Sequence, residues 1–456
     1  MLSPLRNPVY RNLFFAQVIA LTGTGLATVA LTLLAHDLAG GNAGMVLGTA
    51  LAIKMVAYIV VAPVVGGIAH RLPRKFVLVS LDVARALLVA LLPWIEEIWQ
   101  VYLLIFMLNA CAAGFTPLYQ AAIPDVLVDE SLYTRALSLS RLTRDLELLA
   151  SPMIAAFLLV FASYHVLFMV NAVAFVLSGL MIISTGFPAP PASDRGPGIF
   201  ANLTYGLRVY LATPRLRGVL LASAAAAFAG AMIIVNTVVF MREILSRTEA
   251  DTAVALAAAG GGSMFAALAL PRLLTWISPR AVMLMGAVVC ASPLALSALS
   301  LSFGSICALW FTIGMGSSLV QTPVGRILAA SCRESDRSAI FSAHFALSHA
   351  CWLAAYPLAG WVGGHNGLAA CAIVLAACAT ISGIGAALAW PARDSVELEH
   401  QHEPIAHEHH HVHDEHHQHD HDGDEAMAPH SHHHVHERIS HRHAFVIDLH
   451  HPRWPG

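Results

Sequence analysis

Residues 100–122 read QVYLLIFMLNACAAGFTPLYQAA, 23 consecutive positions without a charged side chain. A helix rises about 1.5 Å per residue, so about 20 apolar residues cross the hydrocarbon core of a bilayer. Stretches of 18 or more mostly apolar residues occupy residues 13–36, 44–69, 76–94, 100–122, 137–161, 165–186, 217–241, 252–275, 281–302, 304–327, 339–362 and 367–390. The sequence therefore predicts an all-α membrane protein with twelve transmembrane helices.

The overall composition agrees with a membrane protein. Of the 456 residues, 57% are hydrophobic and 12% are charged, about half the charged share of a soluble domain. The N-terminus lacks a signal-peptide cleavage pattern, so the first span is expected to remain as a helix. No nucleotide-binding loop or covalent catalytic constellation is found, so we expect neither an enzyme nor a resident cofactor nor a nucleic-acid partner.

The distribution of basic residues predicts the orientation. If the N-terminus is cytoplasmic, the cytoplasmic segments collect 16 Lys and Arg, whereas the external loops hold only Arg242 and Arg247. Basic residues in short loops mark the cytoplasmic side. We therefore expect a multi-pass protein of the bacterial inner membrane with both termini in the cytoplasm.

A Pro/Gly-rich linker divides the spans into two sets of six. The segment FPAPPASDRGPG, residues 187–198, cannot continue a helix, and a short interfacial helix is expected after it. We therefore predict four parts: an N-terminal six-helix half (1–186), a cytoplasmic linker (187–216), a C-terminal six-helix half (217–392) and a His-rich cytoplasmic tail (393–456), mostly disordered. Transporters with two related halves bind substrate between them near the membrane midplane.

The tail is the strongest chemical signal. Residues 400–451 hold 20 of the 26 histidines together with ten acidic residues. Imidazoles interleaved with carboxylates bind borderline divalent metals without needing a packed fold. The candidate ligands in the two densest clusters are His407, His409, His410, His411, His413, His416, His417, His419, His421, His432, His433, His434 and His436. We expect the tail to collect or sense metal, the alternative being a merely solvating segment.

Charged residues inside a span are costly and are functional candidates. Lys54, one of two lysines in the chain, lies near the middle of span two. It either switches between a carboxylate partner and a free state, or holds a fixed structural pair. Asp82 and Arg85 in span three share a helix face and are expected to neutralise each other, which favours a structural role over proton coupling.

Span five contains two carboxylates, and one of them is expected to take part in coupling transport to protons. Asp145 and Glu147 point about 200° apart on a helix. Arg141 lies four residues before Asp145, and Arg144 lies three before Glu147. One acid is therefore expected to form a local ion pair while the other binds a cation or a proton. We favour Asp145 as the free acid, because it lies one heptad before Pro152 on the presumed packing face. The alternative is a charged helix end near the cytoplasmic surface.

Span eleven offers metal-ligating side chains. His344, Ser348 and Cys351 follow the i, i+4, i+7 spacing of one helix face, and His349 points about 140° away from His344. Imidazole suits Ni²⁺, Zn²⁺ and Cu²⁺. A metal or proton role for His344 or His349 stands beside a structural one.

The loop between spans two and three resembles a family signature. GGIAHRLPRKF (66–76) is similar to the signature of the major facilitator superfamily, with matches at Gly66, Arg71, Arg74 and Lys75. His70 stands where the signature has an acid. FTPLYQAAIPDVL (115–127) is similar to the fourth span of the exporter branch. The resemblance implies two six-helix halves and transport between them.

Four further pieces resemble the nickel-resistance branch of that superfamily: ALAIKMVAYIVVAP (50–63), SRLTRDLELLASP (140–152), HFALSHACWLAAYPLAGW (344–361) and the His-rich tail. The resemblance implies efflux of Ni²⁺, or of Co²⁺ or Zn²⁺, in exchange for protons, by a protein expected to be a monomer. Two alternatives remain. One is an exporter of an organic compound such as a siderophore or drug, with the tail as a metal regulator. The other is a membrane-anchored metal buffer that transports nothing.

Overall fold

The computed structural model describes residues 1–39, 43–186, 199–299, 302–392, 397–401, 405–411, 430–436, 440–444 and 446. Its helices are α1 (Pro8–Ala39), α2 (Ala43–Ile68), α3 (Arg74–Leu91), α4 (Ile98–Val126), α5 (Glu130–Leu159), α6 (Tyr164–Ile183), α7 (Ile199–Ala212), α8 (Pro214–Val239), α9 (Glu249–Leu273), α10 (Pro279–Leu296), α11 (Phe303–Gln321), α12 (Val324–Ala329) and α13 (Arg337–Ala389). Short turns of 3₁₀ or π helix connect some of them.

The twelve predicted spans are confirmed. Ten helical segments among the described residues are long and apolar enough to cross a membrane. One of them contains α13, whose 53 residues join two spans at Gly367, where a φ of 83° breaks the helix. Helix α5 is the twelfth span, because its 30 residues are long enough even though its middle carries four charged side chains. The all-α membrane fold follows.

Polar caps fix where several spans begin. The side chains of Asp129, Thr248, Ser278 and Ser302 each accept a hydrogen bond from a backbone N–H three residues later, at the first turn of α5, α9, α10 and α11. Such caps satisfy N–H groups that a helix start leaves without a partner. Hydrogen bonds from Ser131 and Leu132 also hold the pKa of the Asp129 carboxyl below its usual value. The loops are thereby anchored at defined residues.

The helices form two halves that meet along several pairs of spans. In the first half α1 and α3 pack on α6, and α2 packs on α4; in the second, α8 packs on α13 and α9 on α11. Gly262 and Gly314 let α9 and α11 approach so closely that a Cβ at either would overlap the other's backbone. Between the halves, α2 faces α13 and α5 faces α9, while α7 packs on α2 and α13.

Part of the tail forms strands, which the sequence did not predict. Strand β1 (Glu397–Gln401) pairs antiparallel with β4 (Ser440–Ala444), and β2 (Ile405–His411) pairs antiparallel with β3 (His430–His436). A two-stranded ladder is marginally stable by itself, so these strands provide no packed core. The first part of the predicted linker (187–198) and His413, His416, His417, His419 and His421 lie outside the described residues.

Candidate transport site

Ion pairs join the two halves at one end of the bundle. We call this the linker end, because α7 lies there. Asp125 forms ion pairs with both Arg74 of the first half and Arg337 of the second, and Arg326 pairs with Glu130. Gly66 of α2 lies against α13, where a Cβ would come within 2.5 Å of the Ser342 Cβ. The linker end, predicted to face the cytoplasm, is therefore closed in this arrangement.

Asp125 is a functional residue that the sequence did not predict. The loop signature places His70 where an acid is expected, and the structure supplies the carboxylate from the end of α4 instead. Lys75 of the same signature donates to the Thr185 carbonyl at 2.9 Å. The only sequence clue to Asp125 was its place in FTPLYQAAIPDVL, because its arginine partners are 51 and 212 residues away.

We expect Asp125→Asn to open the linker end. The change leaves Arg74 and Arg337 facing each other without a carboxylate. Hydrogen bonds to charged groups contribute about 2 kcal/mol. The equilibrium constant for opening of the linker end should therefore rise by about an order of magnitude. The measurement is the rate of maleimide labelling of a cysteine placed at Ser342, read by peptide mass. Glu334→Gln is the matched control, because Glu334 is largely exposed and 3.6 Å from Arg337. Equal labelling of both variants would contradict the role of Asp125 in keeping the linker end closed.

The favoured assignment in span five is reversed by the structure. Asp145 is not free: Arg141 Nε lies 3.2 Å from its Oδ2, and Ser263 of α9 donates to the same oxygen at 2.6 Å. Arg141 also donates to Ser263 Oγ and to Gln321 Oε1, both at 2.9 Å. The i,i+4 spacing lets Arg141 reach Asp145, and α9 completes the network across the halves. Asp145 therefore belongs to a hydrogen-bonded network that connects α5 to α9.

Glu147 is the carboxylate that remains unpaired. It is half-buried, and within the described part of the chain no ion pair or hydrogen bond to it is formed, including from Arg144. It faces α1, where a Cβ on Gly25 would come 2.6 Å from Glu147 Oε1. The glycine therefore makes room for the carboxylate. An unpaired carboxylate at membrane depth is costly unless it gains a proton or a cation, which makes Glu147 the stronger coupling candidate.

Lys54 acts on this carboxylate electrostatically without forming a contact pair. Its Nζ lies 5.7 Å from the centre of the Tyr58 ring, a cation–π distance. No carboxylate lies within 4.0 Å of it among the described residues, so the direct partner predicted for it is not seen in this arrangement. Glu147 and His349 both lie within the electrostatic field of the Lys54 ammonium. The three groups come from α5, α2 and α13, on both sides of the boundary between the halves.

The hydrogen bond of His349 fixes which ring nitrogen carries the hydrogen. Its Nδ1 lies 2.7 Å from the Phe345 carbonyl, and its ring meets Tyr58 edge-on at 4.7 Å. A carbonyl only accepts, so Nδ1 carries the hydrogen and Nε2 keeps a lone pair. Metal-binding histidines commonly donate their second nitrogen to a carbonyl in this way.

The other candidates of span eleven lie elsewhere. His344 bonds through Nδ1 to the buried Tyr210 hydroxyl of α7 at 2.9 Å, and Cys351 donates to the Leu347 carbonyl. His344 thus ties the interfacial helix to α13. The described residues contain no group of three or more His, Cys, Asp or Glu placed to hold a metal. Side chains of the tail histidines fall outside what the structure describes.

Asp82 and Arg85 form the pair predicted for them. Asp82 has no exposed surface, and it accepts a further hydrogen bond from Ser178 at 2.8 Å. The Arg85 guanidinium lies 4.2 Å and 4.4 Å from the ring centres of Phe115 and Phe175. All these partners belong to the first half. The pair therefore stabilises that half, and its predicted part in proton coupling has no geometric support at the boundary.

Two six-helix membrane-spanning halves, with charged and imidazole groups at their boundary, define the architecture of the chain. The chain belongs to the Major Facilitator Superfamily, whose family model matches residues 13–292.

Bacterial relatives match part of the chain. It is 27% identical over 201 residues to "Multidrug resistance protein MdtG" of Enterobacter lignolyticus, covering 42% of this chain and 48% of that protein. It is 28% identical over 186 residues to "Uncharacterized MFS-type transporter YfiS" of Bacillus subtilis, covering 39% and 44%. The chain thus spans about half the length of the curated relatives it matches.

Solved transporters share the fold at low identity. The human organic anion transporter MFSD10 (TETRAN) superposes with a TM-score of 0.72 at 13% identity, over 83% of this chain and 98% of that one. A bacterial homologue of the iron transporter ferroportin in an outward-facing state superposes with a TM-score of 0.67 at 13% identity, over 84% and 99%. At such identities the likeness establishes the fold alone.

Proposed function

We propose that this transporter exports divalent transition-metal ions, Ni²⁺ preferentially and Co²⁺ or Zn²⁺ as further substrates, in exchange for protons. The proposal places it in the bacterial inner membrane, as a monomer with both termini in the cytoplasm. The tail is the observation that supports a metal substrate, because 20 of the 26 histidines and ten acidic residues fall within residues 400–451. Near pH 7 most imidazoles are neutral, so little proton release opposes metal binding.

The boundary between the halves supports proton coupling. Glu147 has no fixed partner among the described residues, so it is available to bind a proton or a cation alternately. His349 offers a lone pair from the other half. In the proposed cycle, metal replaces the proton when the linker end is open, and a proton replaces the metal when the opposite end is open. Lys54 repels a cation bound nearby, which favours its release.

Export of an organic compound is the second candidate. Lys54 and Arg144 make no ion pair among the described residues, which suits an anionic group. The relative MdtG is named a multidrug resistance protein. In this alternative the tail acts as a metal regulator of an organic-compound exporter.

Accumulation in cells separates the two candidates. We expect expression to lower cellular Ni²⁺ and raise nickel tolerance, measured alongside Co²⁺, Zn²⁺ and Cu²⁺. A matched strain carrying Glu147→Gln controls for expression. Unchanged metal contents together with reduced content of an organic dye would favour the second candidate.

Deleting residues 400–456 should leave a working carrier with weaker efflux at low metal. A weak metal-binding site tethered to the carrier raises the local metal concentration. Because a collector matters least when metal is abundant, efflux should recover as cytoplasmic Ni²⁺ rises. The measurement is efflux rate against Ni²⁺ loading. Loss of transport at every loading, in a truncated protein that is folded in the membrane, would contradict the collector role.

A further inference from the structure

A cavity of about 680 Å³ lies at the linker end, apart from the candidate transport site. Its walls are the first turns of α5, the last turns of α9 and the side chain of Arg326 on α12. Lys54, Glu147 and His349 do not line it. The cavity therefore belongs neither to the proposed pathway nor to one half alone, because α5 comes from the first half and α9 and α12 from the second.

The cavity carries an excess of positive charge. Three arginines line it, Arg135, Arg272 and Arg326, against one acid, Glu130, which pairs with Arg326. Arg135 donates one hydrogen bond to Ser3 Oγ at 2.8 Å. Arg272 is exposed and forms no ion pair or side-chain hydrogen bond within the described part of the chain. Arg272 thus has donors available to an anion, and guanidinium groups match phosphate geometry.

Leu268, which lines the cavity, also lies on an exposed apolar face of α9. Phe265, Leu268 and Arg272 follow one another at steps of three and four residues and share one face of α9, and Trp276 lies in the turn just after the helix. Phe265 is 56% exposed, Leu268 51% and Trp276 87%. Exposed apolar side chains on a spanning helix face acyl chains, and tryptophan marks the interface with water. Arg272 therefore lies at head-group depth.

We propose that this cavity binds the phosphate head group of an anionic phospholipid, with Arg272 as the principal contact. A soluble phosphate would satisfy the arginines equally well. The apolar lining from Leu268, Pro271 and Leu274 and the adjoining exposed apolar face of α9 favour a lipid. Basic pockets between spanning helices on the cytoplasmic side suit such head groups.

Binding at this cavity would favour the closed linker end. The phosphate would contact α5 of one half and α9 and α12 of the other, and separation of the halves would dismantle the site. A ligand shifts an equilibrium toward the state that it binds better. Anionic lipid would then stabilise the arrangement seen here.

The test compares lipids on the purified full chain in detergent. Phosphatidylglycerol, phosphatidylcholine with the same acyl chains, and inorganic phosphate are added at equal phosphate concentration. Thermal unfolding and native mass spectra are recorded. We expect phosphatidylglycerol to raise the melting temperature more than the other two. Its apparent affinity should fall about fivefold in Arg272→Gln, since one basic residue near the membrane surface contributes about that factor.

Two variants control for fold and for general surface charge. Arg272→Lys keeps the charge and should retain most of the affinity. Arg217→Gln removes an exposed arginine at the start of α8, outside the cavity, and should bind phosphatidylglycerol like the wild type. Equal effects of phosphatidylglycerol and phosphatidylcholine would overturn the proposal. So would an equal shift with inorganic phosphate, or equal losses in Arg272→Gln and Arg217→Gln.

Discussion

Replacing Glu147 by glutamine is expected to abolish metal efflux while the protein remains folded. Glutamine has nearly the same volume but neither binds a proton at physiological pH nor carries a charge for a cation. Since no described side chain pairs with Glu147, the change breaks no ion pair, and removing a charge at membrane depth should if anything stabilise the fold. Efflux should fall by more than about tenfold, consistent with loss of an essential intramembrane carboxylate.

Asp145→Asn is the matched control for this prediction. It removes a carboxylate two residues away that is paired with Arg141 and Ser263. Breaking a buried pair by removing one partner costs about 3 kcal/mol, so this variant should lose thermal stability where Glu147→Gln does not. Efflux per folded molecule should fall further in Glu147→Gln. The opposite order, measured on metal-loaded cells with folded protein quantified, would return the coupling role to Asp145.

Lys54→Met is expected to have the second large effect. Methionine preserves the length of the side chain but removes its charge, so a cation bound near Glu147 would no longer be repelled during release. Efflux should fall to background, whereas the melting temperature should change little, because Lys54 forms no ion pair among the described residues. Lys54→Arg keeps the charge and should retain part of the activity.

Two outcomes would change the role assigned to Lys54. Loss of folded protein in Lys54→Met would show a fixed structural pair in another state of the cycle. Transport at the wild-type rate would remove Lys54 from the mechanism. Efflux assays and size-exclusion profiles on the same preparations distinguish the two.

The fold could be predicted because membrane crossing depends on local composition. About 20 apolar residues are needed wherever a helix spans a bilayer, so hydropathy located α4 and its neighbours without reference to the rest of the chain. It also located α5, despite Arg141, Arg144, Asp145 and Glu147, because the surrounding residues are apolar. The strands of the tail were not predicted, since interleaved histidines and acids show no sustained strand pattern.

The candidate site was only partly predictable, because pairing depends on residues far away in sequence. Helix spacing showed that Arg141 can reach Asp145, but which acid stays free depended on Ser263, 118 residues from Asp145. Similarly, the hydrogen bond between His344 and Tyr210 joins residues 134 positions apart, which no spacing within span eleven reveals. Their place in a span was enough to make Lys54, His344 and His349 candidates.

Proton-coupled nickel transport by the purified full chain in proteoliposomes tests the central claim most directly. With a pH gradient imposed, Ni²⁺ flux and proton flux are recorded together by fluorescent indicators, with empty liposomes as the blank. The account predicts that a proton gradient drives Ni²⁺ in the opposite direction, that added Ni²⁺ releases protons from the other side, and that both signals vanish in Glu147→Gln. A wild-type protein that is folded and carries no Ni²⁺, or carries it equally well with Glu147→Gln, would contradict the account.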